Sequence, residues 1–183
     1  MSREPYCNFA VLLTVKLFNI ANYLNRPSIF EIATAFEDGK NGEIKQKNNG
    51  PYDTYNTLSK DEKSFVIRHP LIADMFNANA EKAKKIGREL VGTINGYGDA
   101  VRHCYWCALN QVSAGYKSPY AKEFGDAHKS KPKNDINEKQ MDLYNNSIGY
   151  HLGNQAIINN WSEEELLNQV INAANNGRLK ILK

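Results

Sequence analysis

The chain has 183 residues, 42% of them hydrophobic and 23% charged, and its 23 basic and 20 acidic side chains leave a net charge of +3. That length suits one domain with a real core, and the composition excludes a disordered chain, a collagen-like repeat and a coiled coil. A dedicated duplex-DNA binder carries a denser basic stripe, so specific duplex binding is not expected. Three cysteines (Cys7, Cys104 and Cys107) are too few for a disulfide scaffold.

Phe9, Leu12, Leu13, Leu17, Ile20 and Leu24 recur at helical spacing and predict an apolar helix packed on a core. Lys16, Asn19 and Asn22 interrupt the run, which falls short of the roughly 20 apolar residues of a membrane span. No clear signal-peptide pattern precedes it. A helix lying on a membrane surface is the competing reading. Pro27 opens a second helix through Phe36, and residues 38–57, rich in Gly and Asn, read as a linker or long loop. Residues 1–57 are thus expected to be N-terminal helices and a polar loop packing on a domain formed by residues 58–183.

Within that domain, Ser59 and Glu62 form a capping box for a helix through Arg68, and Pro70 restarts the chain as a long helix through Leu90. Thr93 to Gly98 is a glycine-bearing turn, and a helix begins at Asp99 and runs to about Ser113. Ser118-Pro119 opens a short helix ending near His128, with Ser118 as the cap. Residues 129–137 read as a charged loop, Glu138 to Asn160 as a long helix, and Ser162 with Glu165 as a second capping box for the last helix. No segment alternates with period two, so the expected fold is all-α, a single-domain bundle of about seven or eight helices.

The chemistry concentrates between residues 96 and 153. Asp99, His103, Trp106 and Asn110 share one face of an otherwise apolar helix. An ionisable stripe there costs free energy unless its members are paired or bind something. An i, i+4 carboxylate and imidazole can chelate a metal or orient each other for acid–base work; the bland alternative is an N-cap Asp with a satisfied core His. Asp126 and His128 deliver a second carboxylate and imidazole at the end of the next helix, unless His128 merely complements the helix dipole beside a solvated Asp. Asp142, Asn145 or Asn146, Gly149 and Gly153 line up on a third helix, with Met141, Tyr144, Ile148 and Leu152 on its core-facing side. Two glycines at helical spacing predict close approach by another helix or a ligand.

Other residues read more simply. Cys104 and Cys107 lack a second C-x-x-C or a histidine pair, so they read as two small apolar helix residues rather than half a zinc site. His69, before Pro70, reads as structural, and His151 lies off the Asp142 face. Lys129, Lys131 and Lys133 are a solvated loop or a hold for an anionic substrate.

Three segments carry a resemblance: Gly98-Asp99-Ala100-Val101-Arg102-His103-Cys104-Tyr105-Trp106, then Asp126-Ala127-His128, then Met141-Asp142-Leu143-Tyr144-Asn145-Asn146-Ser147-Ile148-Gly149. In this order they resemble an uncharacterised bacterial domain family with the pattern G-D-A-aromatic-R-H-x-x-W, A-H-E and M-D-L-x-N-N-x-x-G. The likeness covers about residues 58–160. Val101 stands where that pattern has an aromatic, and Lys129 where it has an acid. Such domains occur in secreted and polymorphic bacterial toxins, which implies an effector made in the cytoplasm, delivered by a dedicated secretion system and paired with an immunity protein. A fainter likeness is to the all-α architecture of zinc-dependent phospholipases C and single-strand nucleases, a fold-level analogy.

Together these features predict a toxin-type hydrolase of phosphodiesters, with phospholipid or a membrane surface ahead of nucleic acid as target. Asp99, His103, Asp126, His128 and Asp142 are the expected ligands of a divalent ion, zinc or manganese, with Asp99, His103, His128 and Asp142 as the catalytic groups. Arg102, Trp106, Asn145 and Asn146 are expected to hold substrate, Arg102 through a phosphate oxygen. Two alternatives stay open: a metal-free hydrolase or nuclease using an Asp–His pair, and a helical binding module whose polar stripe is an internal hydrogen-bond network.

Overall fold

The computed structural model describes residues 57–129 and 135–182, so the helices expected over 9–24 and 27–36, and Lys131 and Lys133, lie outside the described residues. Among the described residues there are six helices and no strand: α1 (Lys60–Arg68), α2 (Pro70–Glu89), α3 (Tyr97–Ala114), α4 (Tyr120–His128), α5 (Ile136–Asn159) and α6 (Glu163–Asn175). The all-α class is as expected, and these six are the helices read from residue 58 onward. None of them is long and apolar enough to cross a membrane.

Local chemistry sets the boundaries. At α1 the Glu62 N–H donates to the Ser59 hydroxyl at 3.2 Å and the Ser59 N–H to the Glu62 carboxylate at 2.6 Å, both halves of the capping box. Pro70 then breaks α1 from α2. His69, at the junction, packs its ring 4.9 Å from Phe65 and 4.5 Å from Tyr120, a structural role. α3 starts two residues earlier than expected, because the preceding loop folds back on it. Gly98 N–H donates to the Val91 carbonyl and Asp99 N–H to that of Gly92. Asp99 is therefore inside the first turn, at the positive end of the helix dipole, and is not the cap. Pro119 stands at the cap position of α4 without a side-chain cap, and the Tyr120 N–H donates to the Ser118 hydroxyl at 3.4 Å. α5 also starts early, because Asp135 accepts from the N–H groups of Asn137 and Glu138.

α3 is the central helix, with 13 of its 18 residues buried, and it packs against α2, α4, α5 and α6. Its closest neighbour is α5. A Cβ on Gly149 would lie 2.3 Å from the Cys104 carbonyl oxygen, and one on Gly153 would lie 2.6 Å from that of Ala108. The glycine pair therefore serves helix–helix approach. α5 turns its Asp, Asn and Gly residues inward, which moves the supposed core side to the flank. Met141 and Leu152 are buried, but Tyr144 is exposed with the Lys180 ammonium 4.4 Å from its ring centre. Cys104 and Cys107 are free, buried thiols in the α3–α5 seam. Burial pushes the Cys104 thiol up to about 12 and raises that of Cys107 as well. Phe65, Phe76, Phe124 and Trp106 form the aromatic core under α1, α2 and α4.

Candidate functional site

The tight contact between α3 and α5 brings three ionisable groups together. His103 Nε2 lies 3.6 Å from Asp99 Oδ1, one turn back on α3, and 3.4 Å from Asp142 Oδ1 on α5. All three residues are buried, and one donor atom from each lies within 4.8 Å of the others. Asp142 Oδ1 and His103 Nδ1 make no hydrogen bond, an expensive omission for buried groups that no ligand satisfies.

Two cations balance the carboxylates. Arg102 bonds Asp99 Oδ1, and its Nη2 lies 2.9 Å from His103 Nε2. A guanidinium only donates, so Nε2 accepts and the imidazole proton sits on Nδ1. The buried Lys129 ammonium bonds Asp142 Oδ2. The charged loop expected from residue 129 thus begins with an internal ion pair, which removes Lys129 from the solvated set. Burial holds the His103 pKa well below its ordinary value, helped by the charges of Lys129, Arg102 and His128. Burial also raises the Asp142 pKa, against the opposing pull of Lys129. The centre of the site is a neutral imidazole between two carboxylates.

These donors fit a metal ion. The two gaps from His103 to the carboxylates, 3.4 and 3.6 Å, are close to the ligand–ligand spacing around an ion with bonds of about 2.0–2.2 Å, and all three donor atoms lie within 4.8 Å of one another. Arg102 occupies the Nε2 lone pair, so an ion binds His103 only after the guanidinium swings aside. Arg102 is a third exposed, and the cavity described below offers it room.

The five-residue convergence expected from the sequence reduces to these three. Asp126 is half-exposed and pairs with Lys122, one turn earlier on α4. His128 turns its Nδ1 to Glu62, 2.6 Å away on α1. Two expected substrate-binding groups are committed to the fold instead. The Trp106 indole N–H donates to the Phe76 carbonyl at 3.3 Å, which fixes the ring in the core. Asn145 clamps the C-terminal segment, donating to the Lys180 carbonyl at 2.9 Å and accepting its N–H at 2.8 Å. Asn146 is buried, and neither its carbonyl oxygen nor its amide nitrogen has a partner, so it keeps free capacity toward a ligand. The sequence reading missed Glu62, because its capping role already accounted for a carboxylate at that position. Its burial at 1% exposure is a tertiary fact.

A family model described as a domain of unknown function, DUF6973, matches residues 63–178. The chain belongs to this family. No curated protein and no solved structure matches it. The match spans Asp99, His103 and Asp142, and it begins one residue after Glu62.

Beside the acid cluster, the DUF6973 domain has a cavity of about 220 Å³ lined by Lys84, Gly87, Arg88, Thr93, Gly98 and Arg102. Arg102 joins the two, since its guanidinium lines the cavity and bonds Asp99. The loop above it exposes Val91 and Ile94, and the first residue of α5, Ile136, is 72% exposed. The C-terminal Ile181 and Leu182 are exposed as well, and the Leu182 N–H donates to Asn95 in the same loop. Asn95 in turn bonds Asp99 Oδ2 through its N–H and Glu138 of α5 through its side chain. Exposed apolar side chains thus lie on the loop that supports Asp99 and on the segments bonded to it.

Proposed function

We propose that this chain is a toxin-type effector that hydrolyses phosphodiesters, with Asp99, His103 and Asp142 holding one divalent ion, zinc or manganese. The observation that carries this reading is the buried triad itself, which has an unpaired carboxylate oxygen within 4.8 Å of two other donors. One nitrogen and two carboxylate ligands suit zinc or manganese. A bound divalent ion lowers the pKa of its water and takes up charge on a phosphoryl oxygen.

The residues of the chain then divide the work. Asp99 and Asp142 supply the negative charge, and Lys129 holds the Asp142 carboxylate in place through its second oxygen. Arg102, released from His103, reaches a phosphate oxygen from the wall of the cavity, where Lys84 and Arg88 add positive charge. Val91 and Ile94, exposed on the loop that carries the cavity-lining Thr93, favour a phospholipid over nucleic acid, since they offer contact to acyl chains next to a headgroup site. A cognate immunity protein belongs to the same effector reading.

One observation favours a second reading. Arg102 and Lys129 already neutralise both carboxylates, and a neutral His103 beside Asp142 is also the arrangement of a metal-free acid–base pair. A single experiment separates the two. The purified full chain is assayed for metal content and for hydrolysis of bis-p-nitrophenyl phosphate, phosphatidylcholine vesicles and single-stranded DNA, before and after dialysis against EDTA. Turnover that EDTA abolishes and zinc or manganese restores supports the metal site. Turnover that survives EDTA moves the metal-free pair ahead. No turnover on any phosphodiester overturns the hydrolase reading and leaves a binding module.

A further inference from the structure

Outside the triad, a second ionisable pair stands unused. Glu62 is almost fully buried, and one of its carboxylate oxygens accepts the Ser59 N–H while the other lies 2.6 Å from His128 Nδ1. A buried carboxylate paired with an imidazole nitrogen fixes the tautomer, because the proton sits between them on Nδ1 and the lone pair is left on Nε2. The His128 side chain is 35% exposed, so the pair joins a sealed anion to a ring that reaches solvent. Two contacts hold the ring: Glu62 takes Nδ1, and Trp106 packs edge-on with its ring centre 5.4 Å away. The Ser59 hydroxyl, donating to the Ala127 carbonyl at 3.1 Å, ties the backbone beside it to α1.

Two neighbouring residues link the pair to the acid cluster. Trp106 lies one turn along α3 from His103, and Lys129, the next residue after His128, bonds Asp142.

We propose that Glu62 and His128 are the general-base unit of this site, with His128 Nε2 taking the proton of the attacking water and Glu62 acting as its positioning residue. This deepens the phosphodiesterase reading and rests on it. As the water oxygen bonds phosphorus, its proton passes to Nε2 and the phosphorus–oxygen bond to the leaving alcohol breaks. The imidazolium returns the proton to that alkoxide. One water is consumed, and one alcohol and one phosphomonoester are formed. Glu62 stabilises the transient imidazolium and, by holding Nδ1, leaves the lone pair on Nε2.

The test uses the full chain and two readouts. Nitrogen-15 NMR of the histidine rings is expected to show His128 with its proton on Nδ1. In Glu62→Gln the Ser59 N–H claims the amide oxygen, so the amide NH2 faces Nδ1 and the proton moves to Nε2. In the kinetic readout, His128→Ala is expected to lower kcat for bis-p-nitrophenyl phosphate about 10²–10⁴-fold with little change in KM. Added imidazole should restore part of the rate through the opening left at the surface, which a structural role for His128 would not allow. Should Glu62→Gln fail to fold, the wild-type tautomer and the imidazole rescue still decide. A wild-type His128 protonated on Nε2, or a His128→Ala variant with undiminished kcat, overturns the assignment while the hydrolase reading stands. A wild-type chain inert on every phosphodiester removes that reading and the base role with it.

Discussion

Gly149→Ala tests the packing that creates the site. The added methyl would sit 2.3 Å from the Cys104 carbonyl oxygen and 2.9 Å from the Cys107 Cβ, whereas ordinary contact begins at 3.4 Å. The first neighbour is backbone on the central helix and cannot rotate away, so α3 and α5 must separate by about 1 Å. Overpacking of this kind costs about 1–3 kcal/mol, and replacing a mid-helix glycine by alanine returns up to about 1 kcal/mol. With a rigid neighbour the cost falls toward the upper end, leaving a net loss of about 2 kcal/mol. For a chain of this size that lowers Tm by about 4–8 °C. Circular-dichroism melts of Gly149→Ala and of the exposed Ser147→Ala, expected within about 0.5 kcal/mol of wild type, make the comparison. The same separation widens the 3.4 Å gap between His103 and Asp142, so affinity for added zinc should fall together with Tm. A Gly149→Ala variant that melts at or above wild type would refute the close α3–α5 approach and the site built upon it.

Removing the metal should be readable without any substrate. Adding zinc or manganese to EDTA-treated protein at about 100 times its Kd is expected to stabilise it by about 2.7 kcal/mol, and an unchanged Tm in both metals would count against the ligand set. Asn145→Ala loses both bonds to the Lys180 backbone, which should cost about 1–3 kcal/mol and speed amide exchange at Lys180; unaltered exchange would mean the clamp is not formed. Burial raises the Cys107 pKa in the folded chain, so the unfolded chain releases that proton first. Its contribution to stability is complete below about pH 8.5 and is lost as pH rises above it. Tm should therefore fall between about pH 8.5 and 9.5 more steeply in wild type than in Cys107→Ala, and equal slopes would show the thiol is not buried.

Much of this architecture is local in origin and was legible in the sequence. The capping boxes at Ser59 and Ser162, Pro70 at a first helical position and the apolar periodicity fix where helices start and stop, because caps and proline act within four residues. The spacing of Asp99 and His103 and the glycine pair of α5 likewise follow from helix geometry alone. What the sequence did not determine was which polar groups face one another across helices. Asp142 joins Asp99 and His103, while Asp126 turns to Lys122 and His128 to Glu62, and no spacing along the chain distinguishes these outcomes. Asn145 and Trp106 look like ligand-facing groups on a helical wheel, yet their hydrogen bonds go to the backbone at Lys180 and Phe76. Glu62 is the reverse case, a capping residue in sequence whose carboxylate the packing of α1 on α4 buries against His128. A polar side chain's role depends on whether water, backbone or another charge meets it, and only the tertiary packing of the helices decides that.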